Sequence, residues 1–415
     1  MNIITIVLLF SMLIVSYKLT RNFIHPAVIT NAVWAIILII YNFTNHGLFD
    51  LSDKFYFVLL LWTFTFTISS IVFKYVKVPF PSGLKGSPNT NLVKWLIPIT
   101  IICLCLSIIS LIQKGLYYNP ENLFAGIRTA SISDLNGEKM LFNIPFYISV
   151  SNKVSNFAFI LLILLLFIDK TYKITDFKII TLLVLIVFYY ILRSNKTVMA
   201  QILLSFFCIL CICKKLTLKK TALFIAIFFI FMMLSHLLRR NTGGFNFINF
   251  MTTYLLAPLP AFDSVLSGNT QFIHSFNGEY TFRFLVPFLQ FIDPNIAGNP
   301  DPFNLYNWTK TPININVYTI MFSYYVDFGI FGIFLFAAIL GTFWGILYQY
   351  MKFGHGVGIL IYVAFFYMLI FQFFSDSFFQ FFFVTLTIIL LVIALFIKIN
   401  IKSGEPKTES IDNNY

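Results

Sequence analysis

Apolar residues run in long blocks along this chain, and polar residues gather in the gaps between them. A helix needs roughly 20 mostly apolar residues to cross the hydrocarbon core. Eleven blocks meet or approach that length: 3–17, 26–43, 55–73, 95–112, 154–168, 178–192, 197–213, 221–238, 327–350, 357–375 and 378–398. None alternates strictly between apolar and polar residues, so helices are predicted rather than barrel strands. The fold class that follows is an all-α integral membrane protein with about eleven transmembrane helices, roughly ten to twelve as the short blocks are divided. Residues 1–415 read as a single polytopic domain, and the two halves show no internal repeat. Only Arg193, Ser194, Asn195 and Lys196 separate the sixth and seventh blocks, which predicts a tight turn.

Composition removes the soluble alternative. The chain is 59% hydrophobic and 11% charged, against about 25% charged in ordinary soluble domains. The net charge of +12 has a topological reading, because cytoplasmic loops collect Lys and Arg. With alternate block ends taken as inner, that side carries seventeen basic residues and five acids. The eleven basic residues and eleven acids that remain cancel on the other side. The N-terminus is then outside and the tail, 399–415, is cytoplasmic. Lys18 and Arg21 follow the first apolar block instead of preceding it, so that block is expected to stay as a helix and not to be cleaved. The cluster from Lys214 to Lys220 is read as a topology signal, with no nucleic-acid partner expected.

Two extracytoplasmic loops result, at 113–153 and 239–326. Long loops without regular structure are usually functional. The second also holds two apolar stretches, 255–262 and 284–292, too short to span and suited to lie at the interface or re-enter.

The chemistry in those loops is charged and metal-free. Cys208 and Cys211 form a C-x-x-C inside an apolar block with no His pair nearby, so packing is the expected role. Walker, dinucleotide and H-E-x-x-H patterns are missing, and neither a metal site nor a cofactor is expected. Basic residues stand at the outer boundary: Arg193 and Lys196 at the tight turn, Arg239 and Arg240 after the eighth block, and Arg283 in the long loop. Arginine's forked donors suit bidentate phosphate contact, and the set is read as a diphosphate site. For a general base the first choice is Asp263, beside the apolar run that ends at Phe262, with Glu279 and His274 in reserve. Asp327 opens the ninth block, where an acid complements the helix dipole, so capping and substrate binding both stand. Tyr280, Tyr306, Trp308 and Tyr318 are aromatic residues able to stack on sugars or to sit at the interface.

Three stretches carry a family likeness: 193–197 entering a helix, 254–263, and 316–319 followed by 325–332. On these the chain resembles the oligosaccharide repeat-unit polymerases, the Wzy-type O-antigen polymerases of bacterial surface-polysaccharide pathways. The resemblance implies an inner-membrane glycosyltransferase whose outer loops are periplasmic. Its donor and acceptor are both oligosaccharide repeat units linked to polyprenyl diphosphate, and a chain-length regulator is an implied partner besides the bilayer. An O-antigen ligase shares this donor and topology with a different acceptor. A lipid-linked-oligosaccharide flippase is the rival from another class.

Overall fold

A computed structural model describes residues 1–397 apart from 82–83, 85–86, 136–144, 170–171, 174, 194–195, 214–216, 218, 220, 225, 228–229, 231–232, 234–246, 273–275 and 294–308. The early helices begin where a side chain satisfies free backbone N–H groups. After α1 (Asn2–Thr20), His25 Nδ1 accepts from the Ala27 N–H at 3.2 Å and Pro26 starts α2 (Pro26–Phe43). Ser52 Oγ accepts from the Phe55 N–H at 3.3 Å ahead of α3 (Asp53–Val72). Asn89 Oδ1 does the same for the Leu92 N–H at 3.2 Å ahead of α4 (Thr90–Tyr118).

Next come α5 (Leu123–Leu135), α6 (Phe146–Asn156) and α7 (Ala158–Ile163), the last running into a π turn at Leu164–Asp169. Then follow α8 (Phe177–Arg193), α9 (Lys196–Ile212), α10 (Phe247–Met251) with a π turn at Thr252–Leu256, and α11 (Pro258–Leu266). A 3-10 turn at Arg283–Leu285 leads into α12 (Val286–Ile292). Strands β1 (Thr309–Thr311) and β2 (Ile313–Ile315) form one antiparallel hairpin, with Lys310 opposite Asn314. The chain closes with α13 (Phe322–Lys352), α14 (Gly356–Ile370) continued by a 3-10 turn at Phe371–Phe373, and α15 (Phe382–Phe396).

Among the described residues six helices are long and apolar enough to cross a membrane: α1 to α4, α13, and α14 with its terminal turn. The α6–α7 pair makes a seventh if its 41° bend falls within one span. The protein is therefore an all-α, multi-pass membrane protein. The predicted second block coincides with α2 residue for residue, whereas most of the eighth, 221–238, lies outside the described residues, as does the tail.

The two predicted loops hold more regular structure than expected. Residues 113–118 extend α4, α5 follows it, and Phe146 already opens α6. In the longer segment, 258–266 is a buried helix rather than an interfacial one.

The centre of the bundle is α2, α3, α13 and α14. Gly341 and Gly345, one turn apart on α13, lie directly on α3. A Cβ there would come within 2.6 Å of the Phe66 carbonyl and 2.7 Å of the Ser70 carbonyl. This small-residue spacing brings the two backbones together where the membrane supplies no hydrophobic drive between helices. The same register, 341 beside 66 and 345 beside 70, makes the two helices run in the same direction.

The start of α13 departs from the sequence reading. Gly329 has φ 61° and ψ −148°, outside helical geometry, and the chain reverses there. A Cβ on Gly332 would meet the Tyr324 carbonyl at 2.2 Å, and the Tyr324 ring stacks on Phe336 at 4.4 Å between centroids. In a straight helix those two residues would stand about 18 Å apart along the axis. Residues 322–328 are thus a short arm folded back on the long arm, 330–352.

This reversal places irregular backbone deep in the bundle. The Ile320 N–H donates to the Gln372 carbonyl at 2.8 Å. The Gln372 amide oxygen accepts from the indoles of Trp34 and Trp62 at 3.4 and 3.2 Å, and its nitrogen donates to Thr30 Oγ1 at 2.8 Å. Trp62 sits nine residues into α3, about 13 Å along its axis, so this knot lies near the middle of a roughly 30 Å hydrocarbon core. Such backbone is tolerated at membrane depth only when protein covers it, and Gln372 is 1% exposed.

Candidate functional site

The polar chemistry gathers at the end of the bundle where α3 begins. Three pieces of chain meet there: the 44–52 segment, α11, and the turn 276–285 against the short arm of α13. In α11, Pro258 sits at the first helical position, where a missing N–H costs nothing, and residues 258–263 are all buried. Asp263 points from this helix at the start of α3. One of its oxygens accepts the Ser52 N–H at 2.8 Å, and the other accepts the Ser52 hydroxyl in a short contact. Both carboxylate oxygens therefore have fixed partners, at a helix N-terminus whose dipole favours negative charge.

Lys54, two residues on, clamps three elements. Its Nζ donates to the Tyr325 hydroxyl at 2.8 Å and, in a short contact, to the Leu266 carbonyl, and it lies 5.3 Å from the centroid of the Tyr325 ring. The sequence reading did not single out Lys54. A lysine beside Asp53 carries no local signal, and its partners come from 266 and 325.

Beside Asp263 opens a polar cleft of about 510 Å³, lined by Asp50, Ser52, Asp263, Asn269, Thr270 and Lys310 among others. Lys310, exposed in the middle of β1, is a second cation with no local sequence pattern to mark it. Across the 44–53 segment a neighbouring cleft of about 540 Å³ is lined by Asn42, Asn45, His46, Asp53 and Tyr56, and it shares Asp50 and Leu51 with the first. Amides, hydroxyls and carboxylates in that mixture suit a ligand rich in hydroxyl groups.

Asp327 organises the second half of the site. It lies on the short arm, five residues past the helix start, and does not cap its own helix as the ninth-block reading allowed. Its carboxylate instead accepts the backbone N–H groups of Tyr280 at 3.2 Å and Thr281 at 2.6 Å. That bond pair ties the turn bearing Glu279, Tyr280 and Arg283 to the re-entrant arm. Glu279 is 3% exposed. Burial, reinforced by the Glu279 and Asp327 charges and opposed by Arg283, pushes the Tyr280 phenol up to about 12, so it stays protonated and can donate. Tyr318 is 1% exposed. Its ring stacks on Phe322 at 4.3 Å and meets the edge of Phe272, while its hydroxyl bonds Thr309 Oγ1 at 2.6 Å. A face already covered is no platform for a sugar, so Tyr318 steadies the β-hairpin that carries Lys310.

The basic set is only partly assembled. Arg283, half-buried on its 3-10 turn, acts on the same group of side chains as Glu279 and Asp327. Arg193 ends α8, where its guanidinium meets the Asn156 amide oxygen in a short contact and the Tyr189 hydroxyl at 3.5 Å. Those partners belong to α6 and α8, not to the Asp263 or Asp327 clusters. Lys196 opens α9, with its side chain outside the description. Arg239, Arg240, His274, Tyr306 and Trp308 lie outside the described residues. Among the described residues no three His, Cys, Asp or Glu side chains gather closely enough to hold a metal ion. No family model matches the chain, and no curated protein or solved structure does either.

Proposed function

We propose that the protein is a membrane glycosyltransferase that joins oligosaccharide repeat units carried on polyprenyl diphosphate, building a bacterial surface polysaccharide. The observation that carries the reading is the Ser52 end of the bundle. There a polar cleft with a fixed carboxylate, Asp263, and a cation, Lys310, adjoins a turn bearing Glu279 and Arg283. The charge pattern of the loops supports an extracytoplasmic setting for this end, in an inner-membrane chain read as about eleven spans with its N-terminus outside and its C-terminus inside.

The chemistry follows from the groups present. An acceptor sugar hydroxyl attacks the anomeric carbon of the donor, forming the new glycosidic C–O bond. The bond from that carbon to the diphosphate oxygen breaks, and the diphosphate departs with the electron pair. Asp263 takes the hydroxyl proton, with Glu279 and His274 as the other bases in reach of the role. Charge developing on the leaving diphosphate needs preorganised positive groups, for which Arg283 and Lys310 stand at the site and Lys196, Arg239 and Arg240 are the further members of the proposed set. Arg193, engaged by Asn156 and Tyr189, would have to be released to join them. Cleavage of the diphosphate linkage drives the transfer, so no nucleotide is consumed.

Deletion of the gene in its native host, with surface lipopolysaccharide resolved on a gel, tests this. A core bearing a single repeat unit without the long ladder is the expected outcome. A bare core would point to a ligase or a flippase, and lipid-linked polymer retained outside the inner membrane would select the ligase.

A further inference from the structure

At the opposite end of the bundle the structure holds a groove that the reaction does not use. It runs between α1, α2 and α9, encloses about 1180 Å³, and is walled by apolar side chains such as Ile36, Phe207 and Ile370. At its mouth stand Lys18 and Arg21, both exposed. From Ile24 at the mouth the groove follows α2 as far as Ile36, ten residues past the helix start at Pro26 or about 15 Å, which matches the ~15 Å depth of one leaflet.

Arg21 supplies an independent reason to look here. It ends α1 in a left-handed conformation, φ 54° and ψ 28°, with its N–H donating to the Tyr17 carbonyl at 2.7 Å. Among the described residues it is the one non-glycine with positive φ. Glycine or asparagine fills that position at least cost, and an arginine held there against its backbone preference points to a task for the side chain. Neither Lys18 nor Arg21 has an acidic partner among the described residues. A second apolar groove, about 700 Å³ between α1 and α3, has no charged residue in its lining, so apolar walls alone do not account for the pair.

We propose that the α1–α2–α9 groove binds one anionic glycerophospholipid, with its phosphate on Lys18 and Arg21 and an acyl chain along Ile36, Phe207 and Ile370. The uncharged α1–α3 groove takes acyl chains without regard to headgroup. The site stands apart from the proposed glycosyl transfer and is read out by retained lipid rather than by activity.

The test is native mass spectrometry of the full chain in detergent, equilibrated with equal amounts of dioleoyl phosphatidylglycerol and dioleoyl phosphatidylcholine. One phosphatidylglycerol per chain is expected, retained about tenfold or more over phosphatidylcholine, since each cation near an anionic headgroup contributes appreciably. K18Q combined with R21N should abolish the preference, because asparagine keeps the left-handed backbone. R21G should lose it as well, while its lipid-free unfolding midpoint matches or exceeds that of the wild type, which separates lost binding from lost folding. K94Q, removing an exposed cation outside the groove, should leave the preference intact. Equal retention of the two lipids by the wild type, an unchanged preference in K18Q/R21N, or an equal loss in K94Q would each overturn the proposal.

Discussion

At the Ser52 end of the bundle, Asp263, Lys54 and Asp327 are each tied to chain distant in sequence: to Ser52, to Leu266 and Tyr325, and to Tyr280 and Thr281. At the Lys352 end, Lys18, Arg21, Lys77, Lys94 and Lys352 are all exposed; long-range polar ties there are made by Gln349, bonding Phe73, Val76 and Val78, and by Lys74, whose Nζ donates to the Leu19 carbonyl in a short contact. The first arrangement fixes charged groups in place beside a cleft. The second leaves most of its cations exposed at the surface. Burying a charge is costly unless it is fully bonded, so the end that buries Asp263 and Asp327 is the one built for orientation of its side chains.

Breaking the comparison at its strongest point means removing Asp327. Asp327→Ala leaves two buried N–H groups without this acceptor and should lower unfolding stability in detergent by about 4 kcal/mol. Asp327→Asn, whose amide oxygen can still accept, should lose about half of that. A small effect of the alanine variant would mean that the 280–281 turn is not held from the re-entrant arm. Asp263→Asn comes next: polymer formation by membranes of normal protein content should fall about a hundredfold. The amide oxygen still accepts the Ser52 N–H, so stability should change little, and full activity would move the base to another residue.

Those two aspartates also show what a sequence does and does not disclose. Both stand out in the sequence, Asp263 by the apolar run before it and Asp327 by its place at the head of a long block. Their partners were invisible, because Ser52 is 211 residues from Asp263 and Thr281 is 46 from Asp327. Spans were legible wherever apolar length alone decides them, as in Pro26–Phe43. The reversal at Gly329 was not, since Gly329-Ile-Phe-Gly332 continues an apolar block and reads as helix until Tyr324 is seen against Phe336. Tyr318 offers an aromatic face in the sequence, which tertiary packing covers. Lys54 and Lys310 are both exposed, and an isolated lysine in a polar segment carries no sign of the partners that tertiary structure gives it.

Smaller effects sharpen the contrast. Gly329→Ala forces a side chain onto a positive-φ, extended-ψ backbone and should cost about 2 kcal/mol in the same unfolding measurement. A neutral result would argue against the fold-back of the short arm. Lys54→Met keeps the stem and removes the bonds to Tyr325 and Leu266, for an expected loss of about 1 kcal/mol. Lys77→Gln, at the other end, should leave the unfolding midpoint unchanged, as exposed sites usually do. A loss as large as that of Lys54→Met would erase the distinction between the two ends.

The most direct measurement uses the purified full chain in liposomes, supplied with one lipid-diphosphate-linked oligosaccharide repeat unit and no nucleotide sugar, metal or other enzyme. The account predicts a ladder of lipid-linked products growing by whole repeat units, with free polyprenyl diphosphate released once per linkage and with Asp263→Asn nearly silent. Intact repeat units and no released diphosphate, from protein that unfolds cooperatively, would contradict it.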